Sequence, residues 1–170
     1  MTGNDPVIPP DGQHRYALRV YYEDTDAGGI VYHAGYLRFA ERARTEALRD
    51  MGIPHAEMVE RFGVMFVVRT LTIDYLRAAR LDDSLTVITS AQEVGGASVL
   101  LRQDVLGPDG ACAELRVRLA CVAFASVGPA SVGPVNVMLA SVGPGGNKPG
   151  RIPPRWRSVL SAMRDRARAD

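Results

Sequence analysis

Residues 36–51 read YLRFAERARTEALRDM. At 100° per residue, Tyr36, Leu37, Phe39, Ala40, Ala43, Ala47, Leu48 and Met51 fill one broad arc, and Arg38, Glu41, Arg42, Thr45, Glu46 and Arg49 fill the other. The stretch is therefore a helix lying on an apolar surface, and the alanines in its inner arc let the axis come close to that surface. Gly52 and Pro54 supply the stop signal. Arg44 falls inside the apolar arc, so it is expected to be partly buried and paired, with Glu41 three residues away as its partner.

Downstream, VMFVVRTLTIDYLRA alternates Leu71, Ile73 and Tyr75 with Thr70, Thr72 and Asp74, the two-residue period of a half-buried strand. SLTVITSAQEV, ASVLLRQDVLG and ACAELRVRLACVAF continue in the same way, separated by GG and GPDG turn signals. Upstream, RYALRVYYE has the β-branched and aromatic bias of a strand, preceded by a flexible Pro/Gly-rich arm at residues 1–14. A strand, a long helix and four strands in a meander predict an α+β fold, one antiparallel sheet wrapped around one helix, over residues 15–126. Beyond Phe124, SVGP recurs at Ser126, Ser131 and Ser141, and residues 127–150 read as a Gly/Pro/Ser-rich insertion, with VNVMLA as an alternative short strand. Residues 151–170 read as a terminal helix with proline at its start.

With 170 residues, 46% hydrophobic, the chain suits one globular domain, and a net charge of +1 gives no field that would favour nucleic acid or an anionic membrane. It carries no signal-peptide pattern and no stretch of about 18 apolar residues, so a cytoplasmic protein without a transmembrane segment is expected. Cys112 and Cys121 share one strand at odd spacing, on opposite faces and too far apart for a disulfide.

The chemistry concentrates just before the helix, in YYEDTDAGGIVYHAGY at residues 21–36. Asp24, Thr25 and Asp26 leave the strand, Gly28 and Gly29 allow unusual backbone conformations, and a helix start supplies unpaired N–H donors with the positive end of its dipole. A carboxylate beside such a site serves as nucleophile or as the base that activates water, which describes acyl hydrolysis. Each piece also has a plainer reading: Asp as a turn former, His33 as a helix-entry residue, Tyr32 and Tyr36 as walls. Their combination within 16 residues favours the site. There is no GxSxG elbow, no histidine lies near either cysteine, and Asp24, Asp26 and His33 find no HxxxH or HxH spacing to complete a metal site. GPGGNKPG lacks the Gly before and the Ser or Thr after the lysine that a phosphate loop needs.

RVYYEDTDAGGIVYHAGYLRFAERARTEALRDMGI, continued through VVRTLTIDYLRAARLDD, resembles the tol-pal-associated acyl-CoA thioesterases, a branch of the 4-hydroxybenzoyl-CoA thioesterase family with the hotdog fold. The resemblance spans residues 15–125, and NKPGRIPP is similar to the family's ending. It implies a five-stranded antiparallel sheet around one long central helix, and homodimers or homotetramers with sites between subunits. It also implies hydrolysis of acyl-CoA to free acid and CoA without metal or organic cofactor. By position, the catalytic aspartate falls on Asp26, the residue facing the thioester on His33, and a further pocket residue on Tyr22. Gly29, Ile30, Tyr32 and Tyr36 complete the candidate substrate-binding set. Where some relatives carry a basic cluster for the CoA phosphates, this chain has EVGGAS, which leaves Arg77, Arg80 or Arg102 for that task. The donor is CoA or acyl carrier protein, and the competing class is a non-catalytic acyl-thioester or acyl-carrier-protein binding module.

Overall fold

The computed structural model describes residues 6–123 and 149–169. Five strands, β1 (Gln13–Arg19), β2 (Val64–Tyr75), β3 (Ser84–Val94), β4 (Ser98–Gly107) and β5 (Gly110–Ala123), form one antiparallel sheet in the order β1-β3-β4-β5-β2. Helix α1 (His33–Asp50) lies on one face of it, packed against β1, β3 and β4. Two shorter helices flank it, α2 (His55–Phe62) and α3 (Pro154–Ala167). This is the hotdog arrangement expected above.

The inner face of α1 is the arc read from the sequence: Tyr36, Phe39, Ala40, Ala43, Ala47 and Leu48 are buried. On β5, Ala113, Leu115, Val117, Leu119 and Cys121 point into the same core. At about 25 cal/mol per Å² of apolar area removed from water, this double layer is the main stabilising term. Gly52, at φ +74°, stops α1, and its N–H bonds the Arg49 carbonyl.

Several boundaries differ from the sequence reading. The helix starts at His33 rather than Tyr36. The first strand ends at Arg19, because Asp24 Oδ2 accepts the Tyr21 N–H at 3.0 Å and turns residues 22–24 into a 3-10 turn. Helix α2 has no counterpart in the sequence reading; it is eight residues long and buries only Met58, too little to write a periodic pattern. Of the first 14 residues, Gln13 and His14 belong to β1, and residues 8–12 run beside α3. A Cβ on Gly12 would meet the Met163 carbonyl at 2.2 Å, and Arg166 donates to the carbonyls of Ile8 and Pro9. The SVGP stretch and the alternative strand at VNVMLA lie outside the described residues, except that Pro149 bridges Val122.

Arg44 is buried as expected, but its partner is not Glu41. Its Nη1 donates to Oε1 of Gln103 at 2.7 Å, and Glu41 instead accepts from the Thr45 hydroxyl at 3.0 Å. Gln103, fully buried on β4, also donates Nε2 to the Ala40 carbonyl and to Thr89 Oγ1, both at 2.9 Å. One amide thus ties α1 to β3 and β4.

Both cysteines are buried and unpaired. Cys112 is the extra residue where the register between β4 and β5 shifts from Val105↔Ala113 to Leu106↔Ala111. Burial pushes the Cys121 thiol up to about 11 and raises Cys112 as well. Because only the thiolate reacts, the native protein is expected to titrate no thiol with a disulfide reagent at pH 8 and two after denaturation. Rapid native labelling would contradict that packing.

Candidate active site

The loop between β1 and α1 is fastened before it reaches its chemistry. Asp24, nearly fully buried, takes the Tyr21 N–H on its side chain and the Tyr32 N–H on its carbonyl, at 2.9 Å. Val31 donates its N–H to the Ala79 carbonyl at 2.8 Å, and Ile30 bridges Arg80. The first aspartate of the pair is therefore a structural residue, and the second is left for other work.

Asp26 is exposed at the tip of this loop. Its Oδ1 accepts the Gly28 N–H at 2.8 Å, so one carboxylate oxygen does serve the turn. A Cβ on Gly28 would crowd that oxygen at 3.1 Å, and Gly29 adopts φ +71°, a conformation that favours glycine. Oδ2 has no hydrogen-bond partner among the described residues.

Helix α1 begins immediately beyond, with Tyr32 at its N-cap and no side chain capping it. Gly35 bonds back to the Tyr32 carbonyl at 2.7 Å, while among the described residues no acceptor meets the N–H of His33 or Ala34. Those two amides and the helix dipole make an anion-stabilising position a few residues from Asp26.

Asp26, Ile30, Tyr32, His33 and Tyr36 line one cleft of about 380 Å³ together with Tyr75, Leu76, Arg77 and Ala78. Of the other candidates, Gly29 shapes the loop without lining the cleft, and Tyr22, four-fifths exposed, stands outside it in a single chain. Tyr36 is a buried anchor. Its hydroxyl accepts the Ala79 N–H at 2.9 Å, and burial raises its phenol above the ordinary range. His33 is exposed and packs against the Tyr32 ring at 4.1 Å between centroids.

Of the segment from Tyr75 to Ala78, the sequence reading singles out only Arg77, for phosphate contact. The Tyr75 hydroxyl donates to the His33 carbonyl at 3.0 Å, joining the end of β2 to the start of α1. Tyr75→Phe deletes that bond, and a net loss of about 0.5–1.5 kcal/mol in stability is expected by thermal unfolding. A larger loss would mean that the ring, not the hydroxyl, holds the helix start.

Among the described residues no three His, Cys, Asp or Glu side chains gather around a point where a metal could sit, and no helix is long and apolar enough to cross a membrane. Of the arginines considered for phosphate contact, Arg77 lines the cleft and Arg80 adjoins it through Ile30. Arg102 lies on β4, engaged with Asp104 at 3.0 Å and Glu114 at 3.4 Å.

Residues 28–114 match the thioesterase superfamily. The chain is 46% identical over 119 residues to the acyl-CoA thioesterase YbgC of Haemophilus influenzae, covering 70% of this chain and 88% of that protein. It is 46% identical over 110 residues to the acyl-CoA thioester hydrolase YbgC of Escherichia coli O6:H1, covering 64% and 81%. A solved structure, the "Probable Thioesterase from Bartonella henselae", superposes with a TM-score of 0.63 at 35% identity, covering 65% of this chain and 92% of that one.

Proposed function

The chain belongs to the thioesterase superfamily, and from that premise we propose that it hydrolyses acyl-CoA thioesters to the free acid and CoA. The observation that carries this reading is the juxtaposition, in one cleft, of Asp26 with the uncapped start of α1. A thioester carbonyl set against the His33 and Ala34 amides would be polarised as negative charge develops on its oxygen. Asp26, through Oδ2, would attack the carbonyl carbon and expel the CoA thiolate, leaving an anhydride that water hydrolyses, or would draw a proton from a water that attacks the carbon and expels the thiolate directly. His33, exposed at the rim, would orient the thioester or the water. Tyr32, Tyr75 and Leu76, each about half exposed, supply the apolar walls, Tyr22 a further surface beside the loop, and Arg77 with Arg80 the positive charge nearest the cleft for CoA phosphates.

The working unit in this reading is a homodimer or homotetramer in the cytoplasm. Among the described residues nothing pairs with the outer edges of β1 and β2, and Val68 and Tyr75 stand half exposed on β2, the edge next to the cleft. The same cleft would accept acyl carrier protein in place of CoA, because the reacting bond is the same.

Free-thiol release from a panel of short-chain, long-chain and aromatic acyl-CoA thioesters tests the reaction. Turnover on part of the panel supports hydrolysis and gives the substrate class. No turnover on any member, nor on matching acyl-carrier-protein thioesters, with binding retained, would turn the reading to a non-catalytic acyl-binding module, for which the Gly28 bond to Asp26 already offers a turn-forming role.

A further inference from the structure

A second space lies under the inner half of α1, away from the cleft. It is a cavity of about 120 Å³ between α1, the face of the sheet it packs on and α3, walled mainly by apolar side chains such as Leu48, Leu101, Leu119 and Leu160. Arg44 stands in that wall, nine-tenths buried. Of its five N–H donors one is spent, on the neutral amide of Gln103, and among the described residues no carboxylate lies within 4.0 Å of it. The amide cannot neutralise the charge, and Gln103 is itself saturated by Ala40 and Thr89. His55 adds a second unanswered group, since its Nε2 is buried at the same wall without a partner. Burial lowers the His55 pKa and favours the uncharged ring, with the Glu41 charge opposing that shift and the Arg44 charge adding to it.

Glu41, on the same wall, acts on the guanidinium only through space and forms no ion pair with it, so an anion that enters and bonds the free N–H groups relieves the remaining cost of burying the charge. The volume accepts a few non-hydrogen atoms beyond the anionic group, and the leucines favour a hydrocarbon stem. We propose that this cavity is a carboxylate-binding site, in which the Arg44 guanidinium holds the carboxylate and the apolar wall takes a short aliphatic stem. A carboxylate matches the planar fork of two parallel N–H donors. Exposed Glu41 and half-exposed Val68 belong to the same wall, so the cavity reaches the surface beside them. Glu41 also sets a limit, because its negative charge opposes an incoming acid. The carboxylate has two possible sources: a free short-chain acid, or the far end of an acyl group that bears its own carboxylate. The second source rests on the hydrolysis proposed above; the first does not.

Thermal unfolding of the full chain with sodium butyrate, against butyramide and equal sodium chloride, tests the site without turnover. Butyrate is expected to raise Tm by about 4 °C at ten times its dissociation constant, and the two controls to do nothing. The shift should vanish in Arg44→Met, which removes the charge, and in Leu160→Phe, which keeps the charge and fills the space. Glu41→Gln should strengthen it. No butyrate-specific shift in the wild type, or one that survives both Arg44→Met and Leu160→Phe, overturns the site. A second arm compares an ω-carboxyacyl-CoA with the uncharged acyl-CoA of equal length. A preference in kcat/KM that Arg44→Met narrows at least tenfold assigns the carboxylate to the acyl group. A butyrate shift without that preference assigns it to free acid. A butyrate shift in a protein that hydrolyses neither thioester keeps the site and removes the hydrolase reading.

Discussion

Asp26→Asn is expected to lower kcat/KM for acyl-CoA hydrolysis by roughly 10²- to 10⁴-fold, the usual contribution of a positioned general base. The substitution is chosen for what it keeps. Asparagine retains the Oδ1 acceptor that takes the Gly28 N–H, so the turn survives and the loss reports the missing charge rather than a collapsed loop. Free-thiol release measures the rate, and circular dichroism with thermal unfolding confirms the fold. Activity within tenfold of wild type would reduce Asp26 to a turn residue and overturn its part in the proposed mechanism. His33→Ala should cost less, because in the proposed mechanism its exposed ring only orients the thioester or the water, and its main-chain N–H remains.

Gln103→Leu is expected to cost about 3–5 kcal/mol of stability, the range found when a buried charge loses its partner. The replaced amide makes three bonds, to Arg44, Ala40 and Thr89, and leucine of similar size makes none. Against a total stability of about 5–15 kcal/mol this is a large fraction. The measurement is a urea unfolding curve, and its internal control is the double variant Gln103→Leu with Arg44→Met. Removing the charge with the amide should restore much of the loss, because the two residues interact directly and their effects do not add. A cost under about 1 kcal/mol for the single variant would mean that water in the cavity already solvates the guanidinium.

Much of the architecture is legible in the chain because it is written in local periods. The arc of α1 and the alternation of β5 each put one residue type on one face, and burial follows. The loop at residues 24–36 is legible for a different reason: most of its cleft residues are neighbours in sequence. What escaped depends on distant contacts. Arg44 could be read as buried from its angle on the helix, but its partner is 59 residues away and looks like any polar residue on a strand. Tyr75 reads as one more alternating strand residue until the end of β2 meets the start of α1, 42 residues earlier. Helix α2 is too short to separate its period from the turn signals around it.

The space beside Arg44 also bears on hydrostatic pressure. A folded chain carries its voids as excess volume, and unfolding lets solvent occupy them, so compression favours the unfolded state in proportion to the void eliminated. The part of the hollow of about 120 Å³ beneath the central helix that its apolar wall keeps dry adds to the volume this chain sheds when it unfolds. Whatever occupies it, a small acid or the ring of Leu160→Phe, leaves less volume to shed, so compression is expected to destabilise the filled protein less.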